Sequence, residues 1–130
     1  MPQEPIVFVS HFTVKPGHLD AIRPMWDAVT AQLEASRPAT AAYLGYLDDR
    51  GDKLSIVHVF PDADAMAAHV VGAGDRAQAA YEHFTPAGWE VYGSPHPADL
   101  AMMREGARAA GVELSIEREA LGGFLRTVPG

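Results

Sequence analysis

Apolar and polar positions change their spacing along this chain in a way that distinguishes strands from helices. Residues 6–14 carry β-branched and aromatic side chains on both alternating faces, which predicts a strand covered on both sides. Over residues 19–36 the apolar positions recur at intervals of three and four, as on one face of a helix. Pro24 lies inside this pattern, so the helix either begins near Arg23 or kinks there.

A hairpin follows the first helix. Residues 41–47 and 53–60 are apolar runs of strand length, and the Asp- and Gly-rich residues 48–52 between them favour a turn. The remaining predicted elements are, in order, a helix from Ala63 that Asp62 can cap, a helical piece over 75–83, a strand over 89–93, a helix over 97–110 and a strand over 112–116.

This order, β-α-β-β-α-β followed by an extra α-β, predicts the α+β class. The first six elements match a ferredoxin-like split βαβ unit, in which the first and third strands are central neighbours of an antiparallel sheet. We expect a single domain over residues 1–130, with a core over 5–94 and a C-terminal helix and strand over 95–130.

Composition excludes several classes of function. The chain has 130 residues and no cysteine, which removes disulfides, thiolate metal sites and a cysteine nucleophile. Its formal net charge is −7 and no cluster of Lys and Arg offsets it, so no nucleic-acid partner is expected. No apolar run approaches membrane-spanning length, and the N-terminus lacks the basic leader of a signal peptide. A cytoplasmic protein with no membrane partner is the expectation.

The chain has six histidines, and His69 is the best candidate among them for a functional site. A histidine on a helix that faces the sheet projects into the space between the two layers, where its imidazole can accept a proton or hydrogen-bond a phenol or quinol oxygen. The alternative is a core histidine bonded to a neighbouring group. His18 and His96 lie beside turns, which indicates a solvated position.

His11 and His58 lie on strands predicted to be adjacent. If both point toward His69, the three imidazoles could bind zinc, iron or copper. No His-x-His or His-Glu-x-x-His motif supports a metal, and strand parity alone does not decide whether His11 and His58 share a face. We therefore predict no metal, and treat both as substrate-binding candidates together with Tyr43 and Phe60. These aromatic side chains either line a pocket or simply fill the core.

Two short motifs carry a resemblance to a known family. The strand ends in Val14-Lys15-Pro16-Gly17, and His69 closes the helical stretch Ala65-Met66-Ala67-Ala68-His69. Together they resemble the antibiotic-biosynthesis-monooxygenase-like (ABM) family over roughly residues 5–85. The range is approximate because sequence patterns place element boundaries only to within a few residues. Where that family commonly has Glu-x-Trp, this chain has His58-Val59-Phe60.

The resemblance implies a dimeric α+β barrel, a homodimer in which two sheets pack together, with a pocket between each sheet and its helices. Characterised members include oxygenases that need no metal or flavin, and others that degrade haem. The implied function is a cofactor-independent monooxygenase acting on a small aromatic or quinol-like substrate, with His69 catalytic and no cofactor. The alternative is a non-catalytic dimeric protein of the same fold that binds a small apolar molecule or has a structural role.

Overall fold

A five-stranded sheet organises residues 4–126, the part of the chain that the computed structural model describes. In chain order the elements are β1 (Ile6–Val14), α1 (Leu19–Ser36), β2 (Ala42–Leu47), β3 (Lys53–Phe60), α2 (Ala63–His69), α3 (Ala73–Ala80), β4 (Phe84–Tyr92), α4 (Pro97–Ala110) and β5 (Leu114–Glu117).

The strands lie in the order β2-β3-β1-β4-β5, so β1 and β3 are neighbours in the interior of the sheet, as predicted. The pairs β2–β3, β3–β1 and β1–β4 are antiparallel. These four strands with α1 and the α2–α3 segment form the ferredoxin-like unit, and the α+β prediction is confirmed. Only the strand of the C-terminal extension departs from the antiparallel pattern, because β5 pairs parallel to β4 after the α4 crossover.

All four helices pack on one face of the sheet, which we call the helix-covered face. From β1 this face carries the even-numbered side chains, of which Ile6, Ser10, Phe12 and Val14 are buried. One apolar cluster joins Ile6 to α2 and α4, and a second joins Phe12 and Val14 to Ile22 of α1. The opposite, helix-free face carries Val7 and its odd-numbered neighbours, since successive strand residues point to opposite sides.

Local sequence signals explain most of the element ends. Asp62 caps α2 by accepting a 2.8 Å hydrogen bond from the Ala65 N–H. Gly111 ends α4 at a φ of +69°, a left-handed conformation that glycine adopts without strain. Pro24 does not begin α1: the helix starts at Leu19 and continues through the proline.

The strand β4 is longer than the sequence predicts. The prediction began at Trp89, whereas β4 begins at Phe84. Pro86 and Gly88 disfavour a regular strand, but here they flank an irregularity: Pro86 pairs with Phe12 and Gly88 with His11, which leaves one residue of β4 unpaired. A bulge therefore accommodates residues that break regular strands. Within residues 4–126 no helix combines the length and apolar character needed to cross a bilayer.

Candidate functional site

A cavity of about 470 Å³ lies between the helix-covered face and the helices, with walls drawn from both apolar clusters. Most of the wall is aliphatic or aromatic. Apart from tyrosines, its polar side chains among the described residues are Ser10, Gln32, His58, His69 and Arg76. A mostly apolar cavity with a few convergent polar groups is the usual form of a small-molecule site.

His58 projects into this cavity from β3 with a fixed tautomer. Its Nδ1 lies 3.1 Å from the Phe8 carbonyl oxygen, and because a carbonyl only accepts, Nδ1 must carry the proton. Nε2 is then the unprotonated nitrogen, and it makes no hydrogen bond within residues 4–126. Burial lowers the pKa of His58 to about 4, so the ring is neutral near pH 7.

His69 is the last residue of α2 and is buried against His58, with ring centroids 5.3 Å apart. Its Nδ1 lies 2.7 Å from Thr40 Oγ1, a hydroxyl that can either donate or accept. Burial is the main cause that lowers the pKa of His69 to about 3, and the neighbouring His58 and Arg76 act in the same direction. This ring is neutral as well.

Neither free Nε2 atom is sealed inside the core. Thr30 Oγ1 is the one fully buried side-chain N or O atom without a partner in the described part of the chain. Neither Nε2 atom is in that class, and both rings line the cavity. This is the position expected for His69 from its place on the helix.

Aromatic rings surround the two imidazoles. Tyr43 stacks on Trp26 at 4.8 Å with an interplanar angle of 9°, and its ring lies 5.2 Å from that of His58. Phe60 lies 5.1 Å from His69. Burial raises the pKa of Tyr43 to about 12, so its hydroxyl stays protonated and can donate. The stack depends on Gly45, since a Cβ there would lie 2.5 Å from Trp26 Cζ2.

Two arginines hold the C-terminus of α2. Arg76 donates to the carbonyl oxygens of His69 at 2.6 Å and Val71 at 2.9 Å. Arg37 donates to the same two oxygens, at 3.4 and 2.7 Å. Of the two side chains, Arg76 also lines the cavity. The sequence analysis missed Arg76, which lies two residues after Gly74 and belongs to no recognisable motif.

His11 lies on the helix-free face and does not reach the cavity. Its Nδ1 lies 2.9 Å from Ser55 Oγ and its Nε2 lies 2.5 Å from Glu90 Oε1. The Tyr92 hydroxyl donates to the other oxygen of Glu90 at 2.6 Å. The proposed substrate-binding role of His11 in this pocket is therefore corrected: alternate residues of a strand face opposite sides, and in β1 it is Phe8 that pairs with His58.

The structure thus brings together four of the five sequence-predicted site residues: Tyr43, His58, Phe60 and His69. With His11 on the other face, the three-imidazole arrangement does not form. Across residues 4–126 no group of three or more His, Asp or Glu side chains is placed to hold a metal ion.

Comparison with solved structures identifies the fold. The structure is similar to MupZ from Pseudomonas fluorescens, with 18% identity, 94% of each chain covered and a TM-score of 0.68. It is similar to SnoaB, a cofactor-independent oxygenase from Streptomyces nogalater, with 20% identity, 72% of this chain and 95% of that chain covered and a TM-score of 0.53. The chain has the ABM-like fold.

A third similar structure is Rv0793 from Mycobacterium tuberculosis, with 19% identity, 72% of this chain and 98% of that chain covered and a TM-score of 0.57. No protein-family model matches the sequence, and no curated protein matches it. At these identities the likeness is one of ABM-like fold. The match to MupZ covers 94% of this chain. The matches to SnoaB and Rv0793 cover nearly all of those two chains but only 72% of this one.

Proposed function

We propose that this protein is a cofactor-independent monooxygenase that oxidises a small aromatic or quinol-like molecule in the cavity on the helix-covered face. The observation that carries the proposal is the pair of imidazoles, His58 and His69, which line an apolar, aromatic-walled cavity and use only Nδ1 in their hydrogen bonds to the described residues. SnoaB, which shares the ABM-like fold, is a cofactor-independent oxygenase.

The proposed chemistry begins with His69 accepting the proton of a bound hydroxyl at Nε2, while Thr40 holds Nδ1. The ionised ring is electron-rich enough to reduce O₂ directly. One oxygen atom becomes a carbonyl on a ring carbon that loses its hydrogen, and the other leaves as water. The substrate supplies all the electrons, so no outside reductant is required.

The low pKa of His69 is compatible with the proposed proton transfer only if the ring gains a negatively charged partner. A ring with a pKa of about 3 does not hold a proton by itself at neutral pH. An anion formed in the same cavity raises the pKa of a neighbouring imidazole, because opposite charges stabilise each other. Proton transfer is therefore coupled to substrate binding, with Tyr43 and His58 orienting the ring and Phe60 packing against His69.

Oxygen uptake tests the proposal. The protein is given a panel of quinols and aromatic polyketides, with and without a chelator, and compared with His69→Ala and with His96→Ala as a matched surface control. Uptake that resists the chelator, is lost in His69→Ala with the fold retained and persists in His96→Ala supports the proposal. No uptake with any member of the panel, or unchanged turnover of an accepted substrate in His69→Ala, contradicts it.

The second candidate is a non-catalytic protein that binds a small apolar or aromatic molecule. It is favoured by the same low pKa values, because neutral imidazoles of this kind are weak bases. Calorimetric binding of a panel member without any oxygen uptake, in air-saturated buffer, would select it over the oxygenase.

We further propose that the protein is a homodimer in which two helix-free faces pack together. This face carries half-buried Val9, Val57 and Val59, with the more exposed Leu44 and Tyr46 beside them on β2. An apolar sheet face needs a cover, and a second sheet supplies one. A cytoplasmic location stays a prediction from the sequence.

Sedimentation tests the dimer. We expect twice the 13.9 kDa chain mass at micromolar concentration, and dissociation in Val57→Glu. The matched control, Ala28→Glu, adds the same charge to an exposed position of α1 and leaves the dimer intact. A wild-type monomer at micromolar concentration contradicts the proposal.

A further inference from the structure

The cavity wall carries one formally charged side chain in the described part of the chain, Arg76, and no carboxylate. The other ionisable groups are uncharged near pH 7, because His58 and His69 are neutral and burial raises the pKa of Tyr43 and Tyr81, which keep their protons. The cavity therefore has a charge of about +1 by this count, in a chain whose formal net charge is −7. A positive cavity in an acidic protein attracts anions and disfavours cations.

Helix capping alone does not account for Arg76. Its contacts to the His69 and Val71 carbonyl oxygens are duplicated by Arg37, which approaches the same end of α2 and does not line the cavity. Carbonyl oxygens also leave the charge of a guanidinium uncompensated. Within residues 4–126 neither arginine forms an ion pair with a carboxylate. A half-buried guanidinium beside an apolar cavity is thus left with its charge available to a ligand.

His58 imposes a different requirement. Because the Phe8 carbonyl holds the proton on Nδ1, the Nε2 atom can only accept a hydrogen bond. An anionic oxygen placed against this lone pair would be repelled, whereas a hydroxyl would be bound. A ligand that matches this cavity has a hydrogen-bond donor for His58 and a negatively charged group for Arg76. A flat apolar ring between the two would contact the Trp26–Tyr43 stack.

We propose that the ligand of this cavity is a hydroxylated aromatic anion, whose hydroxyl donates to His58 Nε2 and whose ionised group pairs with Arg76. This inference deepens the proposed function and rests on it for the cavity being the substrate site. It narrows the substrate from any small aromatic to an aromatic acid that carries a separate hydroxyl. The hydroxyl held by His58 keeps its proton and orients the ring, whereas the hydroxyl that His69 deprotonates in the proposed reaction is a second one on the same substrate.

Three naphthalene derivatives separate the two requirements. 6-Hydroxy-2-naphthoate carries the hydroxyl and the carboxylate at opposite ends of the rings, 2-naphthoate carries the acid alone, and 2-naphthol carries the hydroxyl alone. Calorimetric titration of the wild-type protein is expected to rank 6-hydroxy-2-naphthoate tightest, with a loss of about tenfold for removal of either group.

The variants assign each loss to a side chain. Arg76→Met is expected to remove the advantage of the carboxylate and leave 2-naphthol binding within about threefold, while His58→Phe removes the advantage of the hydroxyl. Arg37→Met is the matched control, because it deletes the same carbonyl contacts without touching the cavity, and it is expected to change neither preference. Near-ultraviolet circular dichroism checks the fold of each variant. If Arg76→Met does not fold, Arg76→Gln provides the neutral side chain.

Several outcomes overturn the inference: wild-type binding of 2-naphthol as tight as that of 6-hydroxy-2-naphthoate, equal losses in Arg76→Met and Arg37→Met, or no measurable binding of any of the three. Its failure is distinguishable from failure of the oxygenase proposal. Oxygen uptake with neutral quinols that is equal in wild type and Arg76→Met contradicts the anionic ligand but not the oxygenase activity. The expected binding pattern with no uptake from any hydroxylated aromatic acid contradicts the oxygenase activity but not the anionic ligand.

Discussion

The two faces of the sheet give a histidine side chain opposite surroundings. On the helix-covered face His58 is buried, holds one backbone carbonyl and has a pKa lowered to about 4. On the helix-free face His11 is half-exposed and lies against Ser55 and the carboxylate of Glu90. Hydrogen bonds from Tyr92 and then His11 lower the pKa of Glu90, so that carboxylate is ionised near neutral pH.

The difference shows that burial and hydrogen-bond partners decide whether a histidine is suited to ligand binding or to a structural role. His58 has no charged counterpart and keeps a free lone pair over a cavity, which suits ligand binding or proton acceptance. His11 has both nitrogens engaged by protein groups, which suits a structural role. The following predictions contrast the two faces, beginning with the largest expected effect.

Removing a histidine from each face tests the comparison most directly. With an accepted substrate, His69→Ala is expected to lower the rate of oxygen uptake by about 100-fold or more, the range of a lost general base. His11→Ala is expected to stay within about threefold, since its ring does not reach the cavity. Steady-state oxygen-electrode kinetics on both variants provide the measurement, and equal losses in the two would erase the distinction between the faces.

Acid should destabilise the protein through the buried pair. Folded-state pKa values of about 4 for His58 and about 3 for His69 lie below the ordinary 6.5, so the unfolded chain binds more protons as the pH falls below 6.5. Stability is therefore complete above pH 6.5 and is lost as the pH falls toward 4. His58 alone accounts for a loss of about 3 kcal/mol at pH 4.

Urea unfolding of wild type and His58→Phe between pH 7 and 4 measures this effect. The difference in the free energy of unfolding between the two proteins should shift in favour of the variant as the pH falls. The carboxylates common to both cancel in that difference. A difference that is constant with pH would contradict a neutral, buried His58.

Filling the space under Trp26 should damage one face only. Gly45→Ala places a methyl group where the indole now lies, and overpacking of this kind costs about 1–3 kcal/mol and displaces the Tyr43 stack. The neighbouring Leu44 points to the helix-free face and is 45% exposed, so Leu44→Ala is expected to cost less in the monomer. Denaturant titration at a dimer-dissociating dilution compares them, and equal costs would count against the tight contact at Gly45.

The smallest expected effect is on the helix-free face. Glu90→Gln removes the charge beside His11, but both side chains are more than a third exposed, so their hydrogen bond contributes about 0–1 kcal/mol. Thermal melts at pH 7 are expected to shift by no more than a few degrees. Both proteins are compared at a dimer-dissociating dilution, so that the helix-free face is uncovered in each. A larger loss there would contradict the small contribution of this half-exposed pair.

Much of the fold could be predicted because local signals agreed with one another. The split βαβ order, the Asp62 cap and the Gly111 stop are each short-range features of the chain. The start of β4 could not be predicted, because Pro86 and Gly88 are tolerated only through a bulge whose partner, β1, is distant in sequence. Propensity is local, whereas the pairing that overrides it is not.

The candidate site divides in the same way. His69 could be placed from helical spacing, but whether His11 or Phe8 stands beside His58 depends on the register between β1 and β3, which is set by packing and turn geometry. Arg76 carried no motif. Its position beside the cavity depends on how α3 packs against the end of α2, which no short sequence pattern specifies.

The parallel strand β5 has a consequence for aggregation. Without it, the nine residues of β4, which include the fully buried Val91, would form a long open sheet edge. Unpaired edges of this kind template association between unfolded or partly folded chains. β5 covers residues 89–92 of β4, and along this part the edge becomes a four-residue strand in which Ser115 and Glu117 are polar. The C-terminal segment thus shortens the open edge of β4 at which such association would begin, whatever it contributes to the chemistry.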